Sequence, residues 1–489
     1  MESRLRSLCR IGLGAILVGP LFAILLFSSN WQWPALGHLI DVLWKTTAQS
    51  FLSSIASMIL GLGGALGLLH WQNSRFRGWL EVFCLLPGFL PALFVILPVL
   101  NLSGLIGHYP FGLRGIVLVH TLMCAGLVAV TISRLISGKL GGMVELAWVE
   151  GASRWSLVRT GLLGYLRADL ALLAFYVFAL CFASFAVPLI MGGLNGQTIE
   201  VLIYEKIRQG GGWSQAFVLS LVQMLFLFGF SLILSRSSDV RQQGRYQVRY
   251  LTWIPGLVPP ILFSVFVLTA QFSGLQLGIE QLLQTDLLVS LLPELVFHTL
   301  LVGVGTGIFV FILLLLVAGL SPHWGLDQFL TGYASPSAVV TGFAFLLFGF
   351  YGLWGSHLAM ILGLGLLFLP GLYRLMGRSL LHSVSRQVQV ARVAGASWTL
   401  IFWQIEFPQV SSGFLWLAGL AAFWACGDFA LSSIVAESSS TLGLMVKGYM
   451  TSYRLELATV LNLILICVSS LCFLFFGSLG FVVHKKSLS

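Results

Sequence analysis

Charge is scarce in this sequence. Asp and Glu number 17 and Lys and Arg 26 in 489 residues, 9% of the chain, against 58% hydrophobic residues. Soluble domains are about 25% charged, so a water-facing surface of ordinary extent is excluded. The seven cysteines (Cys9, Cys84, Cys124, Cys181, Cys426, Cys467 and Cys472) contain no Cys-x-x-Cys pair, and the nine histidines contain no His-Glu-x-x-His. That excludes the common zinc-binding patterns. The cysteines read as small hydrophobes within apolar runs. No phosphate-binding loop ending in Gly-Lys-Ser/Thr is present: Lys139 is followed by Leu140, and Lys486 follows Lys485. Nucleotide hydrolysis by such a loop is therefore excluded from this chain. The formal charge is +9, yet the basic residues are spread over many short loops, which argues against a nucleic-acid partner. Arg4, Arg6 and Arg10 precede an apolar run at 11–28, but no A-x-A-like cleavage site follows. The run is expected to remain as a membrane span.

What the chain has instead is long apolar runs and a mean hydropathy of +0.96. Several runs reach the roughly 20 residues that cross a hydrocarbon layer about 30 Å thick. In lipid such runs must be helices, because every backbone polar group needs an internal partner. The expected fold is an all-α polytopic membrane protein of about twelve transmembrane helices. The spans are expected at 11–28, 46–70, 79–100, 113–133, 170–191 and 216–235, then 251–271, 296–320, 335–354, 356–373, 412–434 and 458–483. With this topology one side carries 20 Lys and Arg, and the other only Lys45, Arg114, Lys206, Arg208, Lys447 and Arg454. The positive-inside rule then places both termini in the cytoplasm of a bacterial inner membrane.

One phrase occurs twice. VELAWVEGAS (144–153) and VQVARVAGAS (388–397) agree at six of ten positions, 244 residues apart. An even number of spans separates them, so both copies fall in cytoplasmic loops and the halves share one orientation. The chain is read as two parallel six-helix repeats, 1–235 and 251–489, joined by the polar linker 236–250. Phe185-Ala186 answers Phe429-Ala430 at the same offset, and TIEVLIYEKI from Thr198 loosely answers TLGLMVKGYM from Thr441. The phrase has helical spacing. Val144, Trp148 and Ala152 share one face, as do Val388, Arg392 and Ala396. Its small residues permit a close backbone approach or a sharp turn.

These residues resemble the EAA loop of binding-protein-dependent ABC importer permeases. In the loop 138–167, Glu145, Ala147 and Gly151 match that pattern, Leu146 replaces its middle Ala, and Leu163-Gly164 stands where Leu-Pro is usual. In the loop 382–409, Gln389 replaces Glu and Val390 replaces the first Ala, while Ala391, Gly395 and Pro408 match. CFASFAVPLIMGG (181–193) and ACGDFALSSIVA (425–436) are similar to segments of the fused thiamine and iron(III) permeases, the thiamine branch most of all. The resemblance implies the type I ABC importer permease fold and a role as the permease subunit. It also implies coupling to the ATPase through Glu145, Ala147, Gly151, Ala152, Gln389, Ala391, Gly395, Ala396 and Pro408. The implied partners are homodimeric or paired ABC ATPase subunits, which use ATP and magnesium, and a periplasmic or extracellular substrate-binding protein. No cofactor is expected on this chain, which is expected not to be an enzyme. The implied substrate is thiamine or a phosphorylated form, with iron(III) or another small solute as the alternative.

Three acids fall in or beside spans: Glu81, Asp169 and Asp428. Only Asp428 is expected at depth, and it reads either as a packing residue or as part of a cation path. Buried charges for ion coupling would suit a major-facilitator-type secondary transporter, the other reading of twelve parallel spans. GLGGALG (61–67) reads as a close-packing surface or a hinge, and Pro87, Pro91 and Pro98 as a kink.

Overall fold

Leu36–His70 (α1) forms one unbroken helix in the computed structural model, and its buried face explains why it packs where it does. The structure describes residues 12–14, 19, 32–193, 196–208, 212–234, 251–320, 337–349, 352–436 and 440–488. The linker 236–250 and most of the expected span 11–28 lie outside them. Over residues 46–64 of α1 the buried face is small or polar: Thr46, Gln49, Ser50, Ser53, Ser54, Ser57, Gly61 and Gly64. The large side chains Trp44, Phe51, Ile55 and Ile59 point outward. This inverts the soluble pattern, because lipid solvates apolar groups while helix contacts favour small residues and interhelical hydrogen bonds.

Those hydroxyl and amide groups are used. Within one compact unit, Ser54 Oγ donates to Ala174 O at 2.6 Å and Gln49 Nε2 to Cys181 O at 3.0 Å. The glycines of the 61–67 run resolve as packing positions in a continuous helix. A Cβ on Gly61 would collide with Val128, one on Gly64 with Ala129, and one on Gly67 with Leu257. No hinge interrupts the helix.

Arg77–Phe89 (α2) and Ala92–Ile106 (α3) occupy the expected span 79–100. They are two helices meeting at 85° rather than one kinked span. Leu90 is extended before Pro91, as a residue preceding proline prefers, and the extended backbone ends α2 there. Leu113–Leu135 (α4) packs against α1, and Gly141–Val149 (α5) continues from it through a π-helical stretch at 136–140. Arg167–Phe182 (α6), Ala186–Met191 (α7), Ile199–Arg208 (α8) and Trp213–Leu234 (α9) follow.

Val258–Ala270 (α10) opens the rest of the chain with two prolines in its first turn, where they fit. After it come Leu275–Leu283 (α11), Asp286–Gly319 (α12), Ala338–Leu347 (α13) and Gly352–Leu372 (α14). Arg378–Val393 (α15) again follows a π-helical stretch, at 373–377. Phe407–Cys426 (α16), Ser432–Val435 (α17), Leu442–Thr451 (α18) and Leu455–Leu488 (α19) complete the chain. The order of elements from α4 to α9 recurs from α14 to α19.

The protein is an all-α polytopic membrane protein. Among the described residues seven helices are long and apolar enough to cross a membrane, or eight if the bent pair α2–α3 is one span. The expected span 335–354 differs: its described part is the ten-residue α13, which ends at Leu347 before Gly349 at φ 78°. The chain forms two compact units. One comprises Met1–Pro34, Leu202–Ser235 and Gln276–Ser489, the other Ala35–Val201 and Arg236–Leu275. In the second unit α10 packs on α2 and α3, with Asn101 Nδ2 donating to Ala270 O at 3.4 Å. In the first, α12, α14 and α16 share a core that includes Val310, Leu314, Leu364, Leu369 and Phe414, and α19 packs on α12 and α16.

Candidate coupling site

Each copy of the repeated phrase folds into the same helix–turn–helix. In the first, Gly151 N donates to Trp148 O at 2.9 Å and Ala152 N to Ala147 O at 2.9 Å. In the second, Gly395 N donates to Arg392 O at 3.0 Å and Ala396 N to Ala391 O at 3.0 Å. This is a Schellman C-cap, which requires a left-handed residue just past the helix end. Gly151 has φ 86° and Gly395 φ 81°. Ser153 and Ser397 then turn the chain into the next helix, accepting from Ser156 N at 3.2 Å and Leu400 N at 3.4 Å. The sharp turn, and not tight space, is what demands glycine: a Cβ at either position would meet nothing within 4 Å.

The faces repeat as well. Val144 and Val388 are buried, and Ala147, Ala152, Ala391 and Ala396 pack partly into the adjoining cores. Trp148 does the same, whereas Arg392 is exposed and does not share the buried face with Val388 and Ala396. Glu145 and Gln389 are exposed. Pro408 stands apart from the turn, half-buried in the first turn of α16.

Sequence reasoning missed the outermost residues. Leu146 is 64% exposed and Val149 82%, and their counterparts Val390 and Val393 are 65% and 91% exposed. They lie three apart and therefore on one helix face, beside the rigid turn. Their signal was present: Val149 and Val393 are among the six matching positions. Each copy of the phrase thus carries a small apolar knob exposed beside a rigid turn. Water alone gives no reason to hold them in matching geometry.

The acids near the spans are satisfied in ways that stabilise structure. Glu81 pairs with Arg77 and Arg134 at 2.8 Å each, and Asp169 with Lys139 at 2.8 Å. Asp428 does not lie within a continuous span: α16 ends at Cys426, and Asp428 sits in the turn before α17. Its carboxylate accepts from Leu431 N at 3.1 Å and Ser432 N at 3.4 Å. Ser184, its counterpart, occupies the same turn. Ser184 N donates to Cys181 O at 3.4 Å, as Asp428 N does to Ala425 O at 3.3 Å.

Fold and site together define an integral membrane protein with two matched, exposed turns. Its relatives are transport permeases. The chain is 28% identical to the thiamine transport system permease protein ThiP of Escherichia coli over 232 residues, 44% of this chain and 42% of that protein. It is 27% identical to the ThiP of Salmonella typhimurium over 236 residues (45% and 43%) and to that of Brucella suis over 330 residues (59% and 58%). The chain thus spans about half the length of the curated relatives it matches. No protein-family profile matches it, and no solved structure does. The paired phrases and these relatives point to the same group of permeases.

Proposed function

We propose that this chain is the permease subunit of an ABC importer for thiamine or a phosphorylated form of it. On this reading it is a multi-pass inner-membrane protein with both termini in the cytoplasm. The two repeats, 1–235 and 251–489, form the translocation path and rock between inward and outward openings. ATP and magnesium are bound by a separate pair of ATPase subunits, and a soluble binding protein delivers the substrate from outside. The observation that carries the coupling role is the recurrence, 244 residues apart, of one C-capped turn with the same exposed apolar knob. What supports thiamine is that the similar proteins are thiamine transport permeases.

The double substitution Val149→Asp and Val393→Asp tests the coupling role. Both side chains are largely in solvent, so the change alters folding by no more than about 0.5 kcal/mol. Two desolvated carboxylates in an apolar contact should weaken the complex at least tenfold, more than about 1.4 kcal/mol. The expected result is a variant that reaches the membrane, keeps its melting temperature and no longer co-purifies with the ATPase. Undiminished co-purification would remove the knobs from the interface.

A further inference from the structure

Tyr204 and Lys447 hold the same place in two related phrases, each six residues after the threonine that opens TIEVLIYEKI (Thr198) and TLGLMVKGYM (Thr441). The correspondence is structural as well. Ile199 N donates to Thr46 Oγ1 at 3.0 Å, and Leu442 N donates to Thr299 Oγ1 at 3.0 Å. The two equivalent residues touch each other. Lys447 Nζ donates to Tyr204 Oη at 3.4 Å and lies 5.1 Å from the centroid of the Tyr204 ring. It also lies 5.9 Å from the centroid of the Phe429 ring. All three residues belong to the same compact unit. Equivalent positions of a twofold repeat meet only where the two copies converge, so α8 and α18 converge at this contact.

Lys447 Nζ hydrogen-bonds the Tyr204 hydroxyl and lies within cation–π reach of both rings, and Arg208 also interacts with the Tyr204 hydroxyl. Both ring faces carry negative potential and attract an ammonium group. Among the described residues no carboxylate lies within ion-pair distance of Lys447 Nζ. Asp428, next to Phe429 in the chain, spends its carboxylate on the turn before α17. Tyr204 and Lys447 are only partly buried, while Phe429 is buried.

We propose that Tyr204 and Phe429 form a recognition site for an organic cation, and that Lys447 occupies it as a tethered competitor. The ligand class is a quaternary or aromatic nitrogen cation, of which a thiazolium ring is an example. This deepens and partly rests on the proposed thiamine function. In the conformation described here the ammonium fills the site. An incoming cation must displace Lys447, and the separation of α8 from α18 that follows opens the point of convergence.

The test is equilibrium binding to the intact chain in lipid nanodiscs, with thiamine, tetramethylammonium and the neutral compound thiochrome as probes. A competitor that holds the site nine-tenths of the time weakens apparent affinity about tenfold. Lys447→Met should therefore strengthen binding of both cations by about tenfold or more and leave thiochrome unchanged. Adding Tyr204→Phe should keep that gain, whereas adding Tyr204→Leu should abolish it. If the Leu variant does not accumulate, Phe429→Leu replaces it as the ring-removing change. The proposal is overturned if Lys447→Met brings no gain, if thiochrome gains equally, or if the gain survives loss of the ring. Tetramethylammonium separates this from the substrate assignment. Cells that fail to take up thiamine would refute that assignment, while a Tyr204-dependent gain for tetramethylammonium would still establish the cation site.

Discussion

Gly151 and Gly395 show how much a single backbone angle can decide. Both sit at φ above 80° with open space around the Cα, so their substitution cost is conformational. A residue with a side chain pays about 1–2 kcal/mol to enter the left-handed region, and asparagine the least. A β-branched residue strains the turn further and displaces the knob beside it. Gly395→Asn is therefore expected to retain ATPase co-purification, and Gly395→Val to reduce it about 5- to 30-fold, the equilibrium equivalent of that strain. Equal recovery of the two variants would show that the turn geometry is irrelevant. The sequence exposed the glycines through their repetition, yet left close approach and sharp turn as equal explanations. Only φ separates them. The exposed Val149 and Val393 were equally visible as letters, but whether a valine faces lipid, core or water depends on packing that a loop sequence does not carry.

At the scale of elements, the break after α6 and after α16 is the most informative feature. Runs 170–191 and 412–434 are apolar enough to read as continuous spans. The chain nevertheless leaves the helix at Ala183 and Gly427, in the same register. Average hydropathy cannot report such a break, because the short helices that follow are as apolar as those before them. Asp428 does report it, since a short acid before Leu431 and Ser432 is a side chain suited to closing a turn. Asp428→Asn keeps an acceptor oxygen and should leave transport and melting temperature near wild type. Asp428→Leu removes the acceptor and should destabilise the protein by about 1 kcal/mol, a shift of a few degrees. An Asn variant that is stable, assembled and inactive would instead assign the charge to the translocation path. The bend between α2 and α3 was better signalled: Pro87, Pro91 and Pro98 announced irregularity, and the 85° angle places it at Leu90-Pro91. The short α13 was not signalled, because residues 335–354 and 356–373 read as two full spans with almost no loop between them.

For the whole molecule, composition alone excluded a soluble fold and selected helices, and the repeated phrase located the two equivalent loops. The division into compact units was less legible. Residues 202–235 group with the later part of the chain and residues 236–275 with the earlier part, so units and sequence halves are cut at different places. Long-range pairing of this kind leaves no periodic trace, because a helix that packs on a distant partner has the same apolar pattern as one that packs locally. Of the three acids singled out in the sequence, Glu81 and Asp169 are held in ion pairs and Asp428 in a turn, and Glu200 and Glu406 are buried as well. On the proposed function, the energy for transport comes from the partner ATPase. Uptake of labelled thiamine into proteoliposomes holding this chain, its ATPase and its binding protein tests that claim most directly. Accumulation is expected to require ATP on the ATPase side and to disappear in the Val149→Asp, Val393→Asp variant. Uptake that proceeds without the ATPase, driven by an ion gradient alone, would contradict it.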